Sequence, residues 1–207
     1  MYQPLKAYFS NHEPEAGCDE AGRGCLAGPV FAAAVVLPRM PHHDLCEGLN
    51  DSKKLSHRER LRLRDVILKH ALAVHVAMVD NQTIDRINIL NASIKAMHMA
   101  LGKLSLRPAS ILVDGNRFKA YGDIPHHCIV RGDASYLSIA AASIMAKTSR
   151  DEYMVAIHAE HPHYGWMQNK GYPTRQHRLA ISNHGLSPYH RLSFRQVSQL
   201  RLPIGEV

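Results

Sequence analysis

The sequence predicts a mixed α/β fold, in which helices pack on the faces of one sheet. Apolar segments suited to strands come first along the chain, and further strands then alternate with segments of helical periodicity. The sequence contains no internal repeat and no long linker. Its 207 residues, 45 % of them hydrophobic, suit one domain that folds without disulfides or a structural metal.

The first two strands are predicted as a hairpin. Residues 30–37 form the longest apolar run, bounded by a Gly-Pro pair and by Pro38, and predict a buried strand. Residues 16–20 are the candidate partner strand, with Gly22-Arg23-Gly24 in the connection. The apolar run is far shorter than the roughly 20 residues that cross a bilayer, so no membrane segment is expected.

Helices and strands then alternate. Ser56 followed by Glu59 is a capping box, and apolar spacing continues this helix to about His70. The remaining predictions are strands at 71–79, 111–113 and 127–130, one or two helices over 81–104, and helices at 138–158 and 174–184.

The charge balance favours a polyanionic partner. Lys and Arg number 25 against 18 Asp and Glu, which gives a formal charge of +7. A basic domain of this kind most often binds nucleic acid, although many basic proteins bind no polyanion.

Cysteine usage and the first residues indicate a reduced, cytoplasmic protein. The four cysteines lack C-x-x-C or zinc-site spacing, and residues 1–15 carry charges without an apolar signal segment. His158, His161 and His163 are interrupted by Pro162 and lack further ligands at zinc spacing, so solvated histidines are expected there.

Acidic residues follow the predicted strands. Asp19 and Glu20, Asp114, and Asp133 each come at the predicted end of an apolar strand, and sites in open α/β sheets form outside such ends. Four converging carboxylates would repel one another, so Mg²⁺ or Mn²⁺ is the natural counter-ion. Each acid alone also fits ordinary turn chemistry. The four together, in a basic chain, favour metal-dependent phosphoryl chemistry on nucleic acid.

The adjacent acids pose a geometric problem, because neighbouring strand residues point to opposite faces. Asp19 and Glu20 reach one site only if the strand bends or bulges, or if the longer Glu20 side chain wraps around. Nearby glycines allow such a bend.

Five segments, in order along the chain, resemble the type 2 ribonuclease H family in its bacterial ribonuclease HII branch. The resemblance extends from about Ala16 to Arg195. The segments are Gly17–Gly24 (GCDEAGRG), Asp51–Ser56 (DSKKLS), Leu112–Asn116 (LVDGN), Arg131–Asp133 (RGD) running into Ile139–Lys147 (IAAASIMAK), and Lys170–Thr174 (KGYPT).

The resemblance implies a ribonuclease H-like fold, with a five-stranded mixed sheet flanked by helices and a helical C-terminal extension. It implies an endonuclease that cleaves the RNA strand of RNA–DNA hybrids and cuts 5′ of single ribonucleotides embedded in duplex DNA. Two Mg²⁺ or Mn²⁺ ions would serve the hydrolysis, which leaves 5′-phosphate and 3′-hydroxyl ends. Roles in ribonucleotide and primer removal follow, and a cytoplasmic monomer is expected. The domain is expected over residues 16–198, between an N-terminal segment, 1–15, and a tail, 199–207.

By the same resemblance, individual residues take roles. The metal-binding and catalytic carboxylates would be Asp19, Glu20, Asp114 and Asp133. The candidate substrate contacts are the 2′-hydroxyl-sensing loop Gly22, Arg23 and Gly24, the phosphate contacts Lys53, Ser143 and Lys147, and the junction residue Tyr172. One departure is Cys25, where proline is common in the family, which removes a fixed φ at the loop exit.

Ordinary structural roles also fit several of these residues. The loop glycines fit a plain turn, Tyr172 fits a packed loop aromatic, and Lys53 fits a solvated surface residue. Two other functions compete: a proofreading exonuclease or resolvase of the same fold, and a non-catalytic nucleic-acid-binding module. The former would lack the Gly-Arg-Gly loop and the late tyrosine, and the latter has no reason to gather four acids.

Overall fold

A computed structural model describes residues 4–49 and 55–195. Its five strands form one sheet in the order β3-β2-β1-β4-β5. β1 pairs antiparallel with β2 and parallel with β4; β2 and β3 pair antiparallel, and β4 and β5 pair parallel. The predicted mixed sheet and its initial hairpin are therefore confirmed. The strands are β1 (Glu15–Ala21), β2 (Val30–Val36), β3 (Ala73–Val79), β4 (Ser110–Asp114) and β5 (His126–Ile129).

Helices occupy the connections between these strands. The predicted capping box is confirmed, since Ser56 Oγ accepts from Glu59 N while Glu59 accepts from Ser56 N. A positive φ at Asn88 divides the third helix, so the prediction of one or two helices resolves as two segments across a kink. The helices are α1 (His43–Gly48), α2 (His57–His70), α3 (Asn81–Gly102), α4 (Leu137–His158), α5 (Trp166–Asn169) and α6 (Arg175–His184).

The sheet is covered on both faces. Alternate residues of β2 enter two cores: Ala32 and Ala34 pack with α3 on one side, and Ala33 and Val35 pack with α2 and α4 on the other. Small residues bring α4 close to the sheet. A Cβ on Gly17 of β1 would lie 2.3 Å from a backbone atom at the start of α4, a distance that only glycine avoids.

The C-terminal part is helical, as expected, and packs as a third cluster of buried side chains. Tyr164 and Trp166 stack with ring centroids 5.0 Å apart and pack against Met154 and Ile157 near the end of α4. Among the described residues, no helix combines the length and apolar character needed to cross a bilayer.

Two short helices were not predicted. The α1 helix begins after His42, whose imidazole takes the capping role that Ser, Thr, Asp or Asn usually fill. The α5 helix spans four residues, too few for a periodic pattern.

Candidate active site

A pocket of about 350 Å³ opens at the carboxyl ends of β1 and β4, beside the first half of α4. It brings together ten of the eleven residues named as site candidates. The eleventh, Lys53, lies outside the described residues. The ten are Asp19, Glu20, Gly22, Arg23, Gly24, Asp114, Asp133, Ser143, Lys147 and Tyr172.

The two adjacent acids reach this pocket without a bulge. The β1–β2 register continues without interruption through Asp19 and Glu20 to Ala21, so the acids are not at the end of β1. The parallel pairing of β1 with β4 stops at Cys18, and Asp19 is the first residue beyond it. Of the options considered, the reach of the longer Glu20 side chain fits this regular strand.

Asp114 and Asp133 come together through a short turn. Asp114 is the last residue of β4, and its Oδ1 accepts hydrogen bonds from the N–H groups of Gly132 (2.7 Å) and Asp133 (3.4 Å). The prediction that Asp133 ends a strand is wrong, because β5 ends at Ile129 and Asp133 lies in a 3₁₀ turn. A Cβ at Gly132 would be 2.5 Å from Ile139, so glycine permits this close approach.

Charge repulsion is built into this carboxylate cluster, meaning Asp19, Glu20, Asp114 and Asp133. Burial raises the pKa of Asp19 well above its ordinary value, and the neighbouring Glu20 and Asp114 raise that pKa further. Burial also raises the pKa of Glu20, against the opposing effect of Arg23, whose Nη1 is 3.0 Å from Glu20 Oε1. A cation bound among these carboxylates would relieve the repulsion.

The donor set fits a hard divalent cation, because it consists of carboxylate oxygens. The pocket volume of about 350 Å³ also leaves room for ions and waters. No three of the four acids, however, bring ligand atoms within 4.8 Å of one another. Within residues 4–49 and 55–195, that criterion is met only by His42, His43 and Asp44, which do not line the pocket.

One face of α4 supplies polar and basic groups to the pocket wall. Ser143, Lys147 and Arg150 follow one another at helical spacing. The Ser143 hydroxyl hydrogen-bonds Asp19 and lowers its pKa, and burial lowers the pKa of Lys147. Sequence reasoning missed Arg150, although its three-residue spacing from Lys147 could have identified it.

Arg150 links the pocket to its neighbours. Its guanidinium is 5.0 Å from the centre of the Tyr172 ring, and its Nη1 is 3.2 Å from Cys25 Sγ. Its Nε is 2.8 Å from Asp151 Oδ1. A buried cation is therefore fixed beside the tyrosine rather than free in solvent.

The Gly-Arg-Gly loop, residues 22–24, is held from behind. Gly22 has φ 96° in the left-handed region, and its carbonyl accepts from Cys25 N. The fully buried Arg191 donates from Nη1 to the Arg23 carbonyl (3.0 Å) and from Nε to the Gly28 carbonyl (2.9 Å). Motif reading also missed Arg191, because it acts across more than 160 residues of sequence.

Hydrogen bonds hold the loop exit at Cys25, where proline is common in the family. Its side chain is 1 % exposed, and its Sγ donates to the Lys170 carbonyl at 3.4 Å. Leu26 N also donates to the Gly171 carbonyl at 2.7 Å. These two bonds tie the loop to the segment that carries Tyr172.

Tyr172 lies beside the loop with part of its side chain in solvent. The residue is 39 % exposed, and its ring edge would be 3.9 Å from a Cβ placed on Gly24. Gly171 before it has φ 80°, and a Cβ there would lie 2.6 Å from the Ala27 carbonyl oxygen. An exposed aromatic face, small loop residues, acids and cations therefore surround one opening.

Known proteins resemble this chain in sequence and in fold. A family model described as Ribonuclease HII matches residues 16–197. The chain is 57 % identical over 190 residues to Ribonuclease HII of Bacteroides thetaiotaomicron, covering 92 % of this chain and 94 % of that one.

Two solved structures have a similar fold. One is the PCNA:RNase HII complex from Archaeoglobus fulgidus, with a TM-score of 0.76 at 26 % identity over 91 % of this chain and 97 % of that one. The other is Bst-RNase HIII in complex with Mn²⁺, with a TM-score of 0.67 at 20 % identity over 88 % of this chain and 67 % of that one.

Proposed function

The chain belongs to the ribonuclease HII family and is a ribonuclease H, and from that premise we propose that it cleaves the RNA strand of RNA–DNA hybrids and cuts 5′ of single ribonucleotides in duplex DNA. The products carry 5′-phosphate and 3′-hydroxyl ends. The observation that carries the proposal is the meeting of four carboxylates, basic side chains, a glycine loop and an exposed tyrosine at one pocket.

The carboxylate cluster would hold two Mg²⁺ or Mn²⁺ ions. When bound, such ions supply an activated water and neutralise charge on the scissile phosphate and the leaving 3′ oxygen. Asp19 contributes a buried carboxylate whose raised pKa falls again when a cation replaces like charges as its neighbour. The repulsion within the cluster is thus an electrostatic preference for cations.

Basic groups at the wall would position the substrate backbone. Lys147 lies among the pocket residues with the acids, and Arg150 next to it is fixed by its contacts with Cys25 and Asp151. Cations placed in advance attract phosphates without having to reorganise as the strand binds. The excess of 25 Lys and Arg over 18 Asp and Glu supports the same partner class.

The Gly-Arg-Gly loop would recognise the ribose. Glycines at 22 and 24 leave the backbone uncovered, so its polar groups can approach a 2′-hydroxyl closely. Arg191 fixes the Arg23 carbonyl, and Cys25 and Leu26 anchor the loop exit. A loop held at both sides can reject a deoxyribose, because it cannot move to compensate for the missing hydroxyl.

Tyr172 would pack against the nucleotide that follows the ribonucleotide. Its half-exposed ring offers a flat face next to Gly24, and Arg150 lies over the same ring. Stacking of this kind tolerates any base. The enzyme would therefore read the sugar and not the sequence, as removal of ribonucleotides and primers from DNA requires. We propose that it does so as a cytoplasmic monomer.

A comparison of four duplexes tests the proposal. The duplexes are all-DNA, all-RNA, an RNA–DNA hybrid, and DNA with one ribonucleotide, each incubated with EDTA, Mg²⁺ or Mn²⁺. We expect metal-dependent cleavage of the hybrid and one cut 5′ of the single ribonucleotide, with no cleavage of all-DNA. Release of mononucleotides from ends would indicate an exonuclease instead, and binding without cleavage in either metal would indicate a non-catalytic module.

A further inference from the structure

A buried imidazole network, made of Trp166, His177, Ser187 and His190, lies behind Tyr172. Trp166 and His177 are 0 % exposed and His190 is 1 % exposed. Trp166 Nε1 is 3.0 Å from His177 Nε2, and His177 Nε2 is also 3.3 Å from His190 Nε2. His177 Nδ1 is 3.0 Å from the carbonyl oxygen of Tyr172.

The donors in this network fix the proton on each ring. The indole N–H of Trp166 can only donate, so His177 Nε2 is the acceptor and Nδ1 carries the hydrogen. The backbone N–H of Ser187 donates to His190 Nδ1 at 2.9 Å, so the hydrogen of His190 is on Nε2 and faces His177. Both rings are then neutral, which agrees with the lowering of both pKa values by burial.

The network reaches the pocket wall through the hydrogen bond from His177 to Tyr172. With its Nδ1–H fixed, His177 donates to the Tyr172 carbonyl, which also accepts from Thr174 N at 2.8 Å. Tyr172 N donates in turn to the Asn169 carbonyl at 2.9 Å. The peptide groups on both sides of the tyrosine are therefore fixed, although its ring is partly in solvent.

We propose that His177 is a positioning residue, which sets the orientation of the Tyr172 ring through one hydrogen bond to the tyrosine carbonyl. Trp166 and His190 act on this bond by holding His177 in the tautomer that donates from Nδ1. The inference rests on the proposed function, since it assigns Tyr172 to the ribonucleotide junction. It adds a buried hydrogen-bond network that holds the Tyr172 ring in place when no substrate is bound.

A matched set of substitutions separates this role from simple packing. In His177→Asn an amide N–H replaces Nδ1–H at nearly the same distance from the backbone, whereas His177→Gln moves the amide one carbon further, and His177→Leu removes the donor. The measurement is kcat and KM on the single-ribonucleotide duplex and on the long hybrid. Selectivity is the ratio of the two kcat/KM values.

We expect His177→Leu and His177→Gln to lower this selectivity about 10-fold, mainly through kcat, because misplacement by about 1 Å is costly to catalysis. His177→Asn should retain it within about 3-fold. If the Leu variant does not fold, the Asn and Gln pair still decides the matter. The inference would be overturned if His177→Asn and His177→Gln lost selectivity equally. It would also be overturned if selectivity were unchanged in His177→Gln or in His177→Leu.

A double-mutant cycle links the effect to the tyrosine. In a Tyr172→Ala background, His177→Gln should change selectivity no further, because no ring remains to be positioned. Ile67→Ala provides a control that lowers stability without touching the network, because Ile67 is buried in the separate core between α2 and the first half of α4. If Tyr172→Ala alone leaves selectivity unchanged, the junction role in the proposed function fails. If Tyr172→Ala lowers selectivity while His177→Gln does not, only the positioning role fails.

Discussion

The carboxylate cluster and the imidazole network differ in how their polar groups are satisfied. In the cluster, burial and then like charges raise the pKa of Asp19, and Glu20 depends on a half-exposed Arg23 for its counter-charge. In the network, every ring nitrogen of His177 and His190 has a polar neighbour within 3.3 Å. The carboxylate cluster therefore contains unrelieved charge repulsion, whereas the ring nitrogens of the imidazole network are all paired.

This difference indicates that the pocket and the buried network behind Tyr172 have different roles. Carboxylates that repel one another lower the stability of the fold but favour cation binding. The electrostatic repulsion is therefore located at the proposed catalytic site. Neutral, fully bonded rings bind nothing, but they hold neighbouring backbone rigidly. Substitutions in the two regions should therefore change different properties. Those in the carboxylate cluster should lower activity, and those in the imidazole network should lower stability and selectivity.

The largest expected effect concerns activity in the cluster. Asp114→Asn should lower metal-dependent cleavage by about 10³-fold or more, because the lost charge weakens cation binding. The amide oxygen can still accept from Gly132 N, so the free energy of unfolding should change little. Asp19→Asn should behave in the same way. Cleavage assays and urea unfolding measure the two quantities, and normal turnover in either variant would refute the metal assignment.

The next effect concerns stability behind the Gly-Arg-Gly loop. Arg191→Met should lower the free energy of unfolding by about 3 kcal/mol, because the buried bonds to the Gly28 and Pro29 carbonyls and the partly buried bond to the Arg23 carbonyl are lost. Urea denaturation measures this change. Arg107→Met is the matched control, since Arg107 pairs with Asp123 on the surface and should cost less than about 1 kcal/mol. Equal losses in both would contradict the role of Arg191.

A third expectation is a pH dependence specific to the network. Burial lowers the pKa of His190 to about 4, so between pH 6.5 and 4 the unfolded chain binds more protons than the folded one. Stability from His190 is thus present above pH 6.5 and lost as the pH falls through this window, by on the order of 3 kcal/mol.

Two measurements check this dependence. The His190 imidazole should remain neutral at pH 5 by NMR, and His190→Gln should show a weaker loss of stability on acidification than the unmodified chain. The comparison with the variant is needed because the raised pKa values of Asp19 and Glu20 act in the opposite direction. A His190 midpoint near 6.5 would be inconsistent with a neutral, bonded network.

The smallest effect is on discrimination. Tyr172→Ala should lower cleavage at a single ribonucleotide by about 10–100-fold, the range expected for loss of one stacking aromatic, while binding of long hybrids changes less. Tyr172→Phe keeps the ring, so its cleavage rate should lie between those of the unmodified chain and Tyr172→Ala, which separates the effect of the ring from that of the hydroxyl. A rate unchanged in Tyr172→Ala would remove the tyrosine from the site.

The sequence predicted the sheet and most of the pocket because those signals are local. Apolar runs mark the strands, and the acids lie close to them: Asp19 and Glu20 are within β1, Asp114 is the last residue of β4, and Asp133 comes four residues after β5. Asp133 was misplaced because a 3₁₀ turn leaves no periodic pattern. The sequence left open whether a bend, a bulge or the length of the Glu20 side chain brings Glu20 to the site, and the regular β1–β2 register fits the last option. Arg191 could not be found in this way, because its partners are backbone carbonyls more than 160 residues away and leave no pattern in neighbouring residues. Arg150 was missed although its spacing from Lys147 was visible in the sequence.

The hold of Arg191 on the Gly-Arg-Gly loop has a consequence for how the chain matures. Every acid of the carboxylate cluster precedes residue 134, whereas Tyr172, His177, His190 and Arg191 all follow residue 170. Because translation proceeds from the N-terminus, the acids and the Gly-Arg-Gly loop itself leave the ribosome before Arg191, which holds the loop from behind. The hydrogen bonds that hold this loop therefore form only after residue 191 has been made.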